Sequence, residues 1–242
     1  MWLVLCHPDD HAALWAYTAL KARGLAPLRL VCPQALACAT HVVHRIDAHG
    51  ARFELSLADG STLASKQIRG VLNRMSSLPV AHLGPADDVD SRYAAEELSA
   101  LALSWLSCIS PVMVNRPSPR GLPGAWRPAA QWAVLAAQAG LAVSAVPLYS
   151  PGLHPRPLAP ARVVVVAAGT AYGAPAPEAV MRACVQLADA AELDLLSVGF
   201  HVEPDGTWRF AHADPLPDLR LGGQALIGRL HDHLLNLPWS PS

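Results

Sequence analysis

The stretch WLVLCHPDDHAALWAYTALKARGLAPLRLV, residues 2–31, decides the fold class. Trp2 to Cys6 is a short apolar run stopped by His7-Pro8-Asp9-Asp10, the pattern of a buried strand. Asp9 or Asp10 stands where a carboxylate can cap the helix that follows, His11 to Arg23, and Gly24 closes that helix. Leu28 to Val31 is a second apolar run. Strand, helix and strand in this order predict a parallel sheet with helices on its faces, an α/β protein.

Outward from this opening, Arg52 to Leu57 alternates polar and apolar residues. Asp59-Gly60 marks a tight turn and Ser61-Thr62-Leu63 returns, a hairpin with one wet face. Ile68 to Leu72 is a strand ending at Asn73-Arg74. Asp90 to Leu106 reads as a helix, with Ala94, Leu98, Leu101 and Trp105 on one side. Val112 to Val114 is a strand that stops at Asn115-Arg116-Pro117, Pro128 to Ala139 is a helix, and Val143 to Val146 is a strand. Pro151, Pro155, Pro157 and Pro160 make Ser150 to Pro160 a linker. Beyond it, Arg162 to Ala168, Asp194 to Phe200 and Thr207 to Ala213 are strands, and Glu178 to Ala191 and Gln224 to Leu237 are helices. These elements suggest an α/β domain over residues 1–117, a helix, strand and connector over 118–160, and a smaller module over 161–242.

The 242 residues are 52% hydrophobic and 15% charged, a balance that buries a core and argues against disorder. The formal net charge is -1 and no basic run exists, so a nucleic-acid partner is not expected. Lysine occurs only at Lys21 and Lys66. The cysteines, Cys6, Cys32, Cys38, Cys108 and Cys184, are odd in number and lack CxxC spacing, so neither a disulfide framework nor a zinc knuckle is expected. The N-terminus has no basic leader and no apolar run reaches membrane-spanning length, which implies a cytoplasmic protein without a membrane partner. Seven tryptophans in an apolar chain would suit a homo-oligomer interface.

Four passages resemble the ATP-grasp family, in the branch that modifies ribosomal peptides and related carboxylates. They are Pro8-Asp9-Asp10-His11; Ile68-Arg69-Gly70-Val71-Leu72-Asn73-Arg74; Asp90, Tyr93, Glu96 and Ser104-Trp105-Leu106; and Val114-Asn115-Arg116-Pro117. Together they are similar to the family's preATP-grasp domain. Leu193 to Phe200, Asp205-Gly206-Thr207-Trp208-Arg209-Phe210 and Asp214 to Arg220 are similar to its last catalytic hairpin. The resemblance implies a Rossmann-like preATP-grasp domain followed by a shortened ATP-grasp-like α+β module. Working members hold Mg²⁺ on acidic side chains of that hairpin and cover the phosphates with a lid carrying two lysines. Here the aligned positions are Gly199, His212 and Asp214, no lysine follows Lys66, and one proline-rich connector replaces the lid region. The resemblance therefore implies a degenerate, truncated member, a pseudoenzyme with no ATP or Mg²⁺ cofactor and with catalytic residues unknown. It would bind a peptide or small carboxylate and assist a partner enzyme.

The ligand residues expected are Asn73, Arg74, Asn115 and Arg116 at strand ends, where open α/β sheets bind, together with Asp214 and Arg220. The structural counterpart is an arginine paired to Asp90 or Glu96. His7-Pro8-Asp9-Asp10 also resembles the opening motif of LmbE-like zinc deacetylases. That alternative is an amide hydrolase with His7, Asp10 and a later histidine, such as His231 or His233, on the metal. His41, His44 and His49 are expected in a surface loop.

Overall fold

A computed structural model describes residues 1–48, 50–79, 87–144 and 162–239. The chain divides into two compact units, one of Met1–Ala125 with Leu230–Ser242 and one of Trp126–Arg229.

In the first unit, β1 (Trp2–Leu5) leads to α1 (His11–Ala22) and β2 (Leu28–Val31). Asp10 is the capping residue, its Oδ1 accepting from the Ala13 N–H at 2.9 Å. A short helix α2 (Pro33–Ala37) precedes β3 (His41–Asp47), β4 (Gly50–Ser56) and β5 (Thr62–Ala64), which form an antiparallel sheet in that order. Gly60, at φ 79°, occupies the left-handed position of the expected Asp59-Gly60 turn. β6 (Gly70–Asn73), α3 (Asp88–Ser107) and β7 (Met113–Val114) complete a parallel sheet ordered β2-β1-β6-β7. One core joins Leu3 and Leu5 of β1, Val71 of β6 and Met113 of β7 to Phe53, Leu55 and Trp105. Phe53 and Trp105 meet edge to face, centroids 5.6 Å apart, which fastens β4 to α3.

Two expectations need correction. His41 and His44 do not sit in a loop: His41–Asp47 pairs residue for residue with β4, and the β-branched Val42, Val43 and Ile46 suit a strand. His49 lies outside the described residues. On α3 the packed residues are Ala102, Trp105 and Leu106, whereas Leu101 is exposed and Ala94 and Leu98 are only half-buried. Only the last turns of α3 bury a face, so a periodicity carried through the whole helix overstates the stripe.

In the second unit, α4 (Ala129–Gln138) leads to β8 (Ala142–Val143). β9 (Arg162–Ala167), β10 (Thr170–Gly173), α5 (Glu178–Ala190), β11 (Leu195–Val202) and β12 (Trp208–Asp214) follow, and α6 (Gly223–Leu235) begins. The sheet runs β10-β9-β11-β12-β8, antiparallel except where β8 joins β12. β10 was not foreseen; it returns immediately after β9 through Ala168-Gly169, both at positive φ. α5 buries Ala183, Cys184, Leu187 and Ala188, the spacing of one helix face, against Val164, Val166 and Val198. Burial pushes the Cys184 thiol up to about 12, so it behaves as a small hydrophobe. The expected linker and residues 145–146 of the expected strand fall outside the described residues. Among the described residues, no helix is long and apolar enough to cross a membrane.

Gly70 is where the first unit has no spare room. A Cβ there would stand 2.8 Å from Trp2 Cδ1 and 3.2 Å from the Leu234 carbonyl oxygen, while Trp2 Nε1 donates to that same carbonyl at 3.3 Å. Gly70→Ala is expected to destabilise the protein by about 1–3 kcal/mol in urea unfolding. In the second unit, Arg209 donates to both Glu203 carboxylate oxygens, at 2.6 and 2.9 Å, and to the Val143 carbonyl at 3.1 Å. The hydrogen bonds from Arg209 hold the Glu203 carboxyl below its usual range. The resulting stability is present above the ordinary Glu pKa and is lost as pH falls through the depressed one. Glu203→Gln should therefore flatten the acid limb of a plot of Tm against pH.

Candidate functional site

β1, β6 and β7 are parallel neighbours, so their C-terminal ends share one sheet edge. Asn73 and Asn115 leave that edge one residue after the paired Leu72 and Val114. His7, Asp10, Arg74 and Arg116 follow β1, β6 and β7 there. Six residues expected to bind a ligand or metal thus gather at one edge, as strand polarity requires.

Their hydrogen bonds are largely internal. Asn73 is fully buried. Its Nδ2 donates to the Leu122 carbonyl at 2.7 Å and the Asn115 carbonyl at 3.3 Å, and its Oδ1 accepts from the Met75 N–H at 3.3 Å. A side-chain amide has two donor hydrogens and one acceptor oxygen, so all its groups are engaged. Asn115 is also fully buried, at φ 56°, a left-handed backbone that asparagine tolerates better than most residues. Arg74 is 5% exposed. Its Nε and Nη2 donate to Asp10 Oδ2 at 2.7 Å and Oδ1 at 3.2 Å, a two-pronged ion pair, and its N–H donates to the Leu5 carbonyl at 2.8 Å. The partner of Arg74 is therefore Asp10, not Asp90 or Glu96. The N–H of Asp90 instead donates to the Asp87 cap of α3. Arg116 is exposed.

The residues of the zinc alternative have other partners. Asp10 is occupied by α1 and Arg74, and His7 Nε2 lies 3.2 Å from Ser76 Oγ. Among the described residues, no group of three or more His, Cys, Asp or Glu could hold a metal.

Asp214 and Arg220 belong to the second unit. Asp214 ends β12 opposite Ser197, and its Oδ1 accepts from the Leu216 N–H at 2.9 Å. Arg220 forks onto Asp218 at 2.8 and 2.7 Å. Gly199 pairs directly with His212, at a bulge in the β11–β12 ladder. The three positions that the sequence resemblance sets against magnesium ligands thus present one carboxylate, one imidazole and one bare backbone. This donor set does not fit a cation that demands hard oxygens.

Sequence reasoning missed a groove of about 750 Å³ in the first unit. Arg45, Asp47, Arg52, Lys66, Cys108 and Trp239 help to line it. The signal lay in the β-branched run of β3, which implies a sheet with an edge. Cys108 Sγ lies 3.4 Å from His44 Nε2, but burial raises its pKa, so the contact is no thiolate nucleophile.

No protein-family model matches the sequence, and neither does any curated protein. Solved structures do match. Macrocyclase MdnC bound with precursor peptide MdnA, from Microcystis aeruginosa MRC, superposes at a TM-score of 0.70 and 11% identity over 97% of this chain and 99% of that one. A Chryseobacterium gregarium RiPP-associated ATP-grasp ligase, in complex with ADP and a leader and core peptide, gives 0.69 at 10% over 98% and 95%. ATP-grasp ligase PsnB complexed with minimal precursor gives 0.70 at 16% over 97% of each. The chain therefore has an ATP-grasp-like fold, with the parallel and antiparallel sheets of mixed α/β architecture.

Breaking the Asp10–Arg74 pair separates its two duties. Arg74→Ala leaves a largely buried carboxylate uncompensated and is expected to cost about 3–5 kcal/mol. Asp10→Asn keeps a good cap and loses the ion pair, whereas Asp10→Ala should cost about 1 kcal/mol more than Asp10→Asn, the value of the cap. Urea unfolding of the three variants checks the order.

Proposed function

We propose that this chain is an ATP-grasp-like protein that holds a peptide or small carboxylate without turning over ATP, and that it assists a peptide-modifying biosynthetic enzyme. One observation carries this reading: Gly199 faces His212 across β11 and β12, leaving Asp214 as the lone carboxylate at the three aligned positions. Phosphoryl transfer depends on positioning and on neutralising phosphate charge. A histidine is a poor magnesium ligand and a glycine is none. The absence of lysine after Lys66 weakens phosphate binding further, because arginine does not replace lysine one for one there. Peptide binding draws support from the solved structures of like fold described above, each of which carries a precursor or a leader and core peptide in its name.

In this reading the buried residues at the strand-end edge, Asn73, Arg74 and Asn115, hold the edge in shape. Within the first unit, Arg116 is the member with an exposed side chain to meet a ligand; within the second, taken by itself, Asp214 and Arg220 are exposed. Titration calorimetry of the purified chain with Mg·ATP, alongside an assay for released phosphate, tests the reading. No saturable heat and no phosphate above the buffer rate are expected. Micromolar binding, or turnover, sinks it.

A further inference from the structure

We propose that the groove of the first unit binds an extended, acidic peptide segment, which adds as a strand to the open edge of β4. The proposal deepens the peptide-binding part of the proposed function and rests on that part, not on the lack of ATP turnover.

β4 has seven residues, but β5 covers only Glu54, Leu55 and Ser56. The Phe53 N–H donates to Ser65 Oγ and the Leu57 N–H to the Ser61 carbonyl, so odd-numbered residues here face the β5 side. Backbone alternation turns the N–H and C=O of Ala51 to the same edge. β5 ends at Ala64 and the chain enters a 3-10 turn, Ser65–Gln67. Ala51 is left beyond the ladder, with no backbone partner on that side among the described residues. An exposed edge of this kind is a template for another strand.

An aromatic side chain flanks this edge. Trp239 lines the groove, and its indole Nε1 is buried with no acceptor among the described residues.

Charge then selects the occupant. Arg45 stands directly across the ladder from Arg52, a pairing of like charges that disfavours the sheet. Arg52 is drawn onto Asp47 at 2.7 Å. The groove's lining sets Arg45, Arg52 and Lys66 against Asp47 and Glu54, one cation in excess, and Arg45 and Lys66 have no ion-pair partner among the described residues. An acidic strand relieves this excess and a basic one aggravates it. A second copy of the chain pairing along the same edge would bring these cations against their own images.

Panning a random dodecamer phage library against the full chain tests the proposal. Selected peptides should alternate acidic with apolar residues. Their synthetic forms should bind at least tenfold more weakly, by fluorescence anisotropy, to an Arg45→Glu/Lys66→Glu chain and to Ala51→Pro, which deletes the edge N–H. The charge-reversed chain keeps the test decisive if Ala51→Pro does not fold. Failure to enrich any peptide, enrichment of neutral or basic ones, or undiminished binding to the folded charge-reversed chain overturns the proposal. So does a dimer seen by light scattering that Lys66→Glu dissociates or tightens. ATP turnover would sink the proposed function and leave this result untouched, whereas failed peptide selection would overturn only the groove.

Discussion

The parallel sheet of the first unit depends on the two-pronged contact between Arg74 and Asp10. One carboxylate caps α1 through Ala13 and receives the guanidinium that follows β6, so the helix after one strand and the turn after its neighbour are fixed by a single group. A largely buried ion pair is weak evidence for stability, since desolvation offsets much of the attraction. Its consequence is geometric. With 4% of the Arg74 side chain exposed, the guanidinium has little freedom to do anything else. Asn73 completes the arrangement by bridging the chain after β6 to the carbonyls of Asn115 and Leu122.

This arrangement changes what the strand-end edge offers. Open α/β sheets bind ligands at such edges because strand-end side chains are unconstrained by the ladder. Here several of those side chains are turned inward to hold loops. In the first unit an open edge lies instead along the three-stranded sheet, where β4 outruns β5 and three cations line the groove against two carboxylates. In the second unit, Gly199 pairs with His212 and Asp214 closes the β11–β12 hairpin opposite Ser197.

Much of the fold was legible. The strand-helix-strand opening, the Asp59-Gly60 turn and the span of α5 are local: a run, a cap and a turn are written in neighbouring residues, and β1, α1, β2 and α5 appear within a residue or so of where they read. β3 and β10 were less visible. β3 carries charged and histidine residues at His41, His44, Arg45 and Asp47, because one edge and much of both faces lie in water, and its hydrophobic signal is correspondingly thin. α3 misled in the other direction, since helical spacing states which residues share a side and is silent on how far a packing partner extends along it.

The sequence by itself determined the fold class, the polarity that sends Asn73, Arg74, Asn115 and Arg116 to one sheet edge, and the side chains available near the β11–β12 hairpin. Those follow from periodicity and residue chemistry, which act over a few positions. Only the tertiary structure decided that Asp10 belongs to Arg74, that Asn73 is engaged by carbonyls more than forty residues ahead, and that β4 has an open edge beside Lys66 and Trp239. Those facts depend on which distant groups meet. A carboxylate has the same chemistry in any sequence, but its role is fixed by the partner that burial brings within hydrogen-bonding distance.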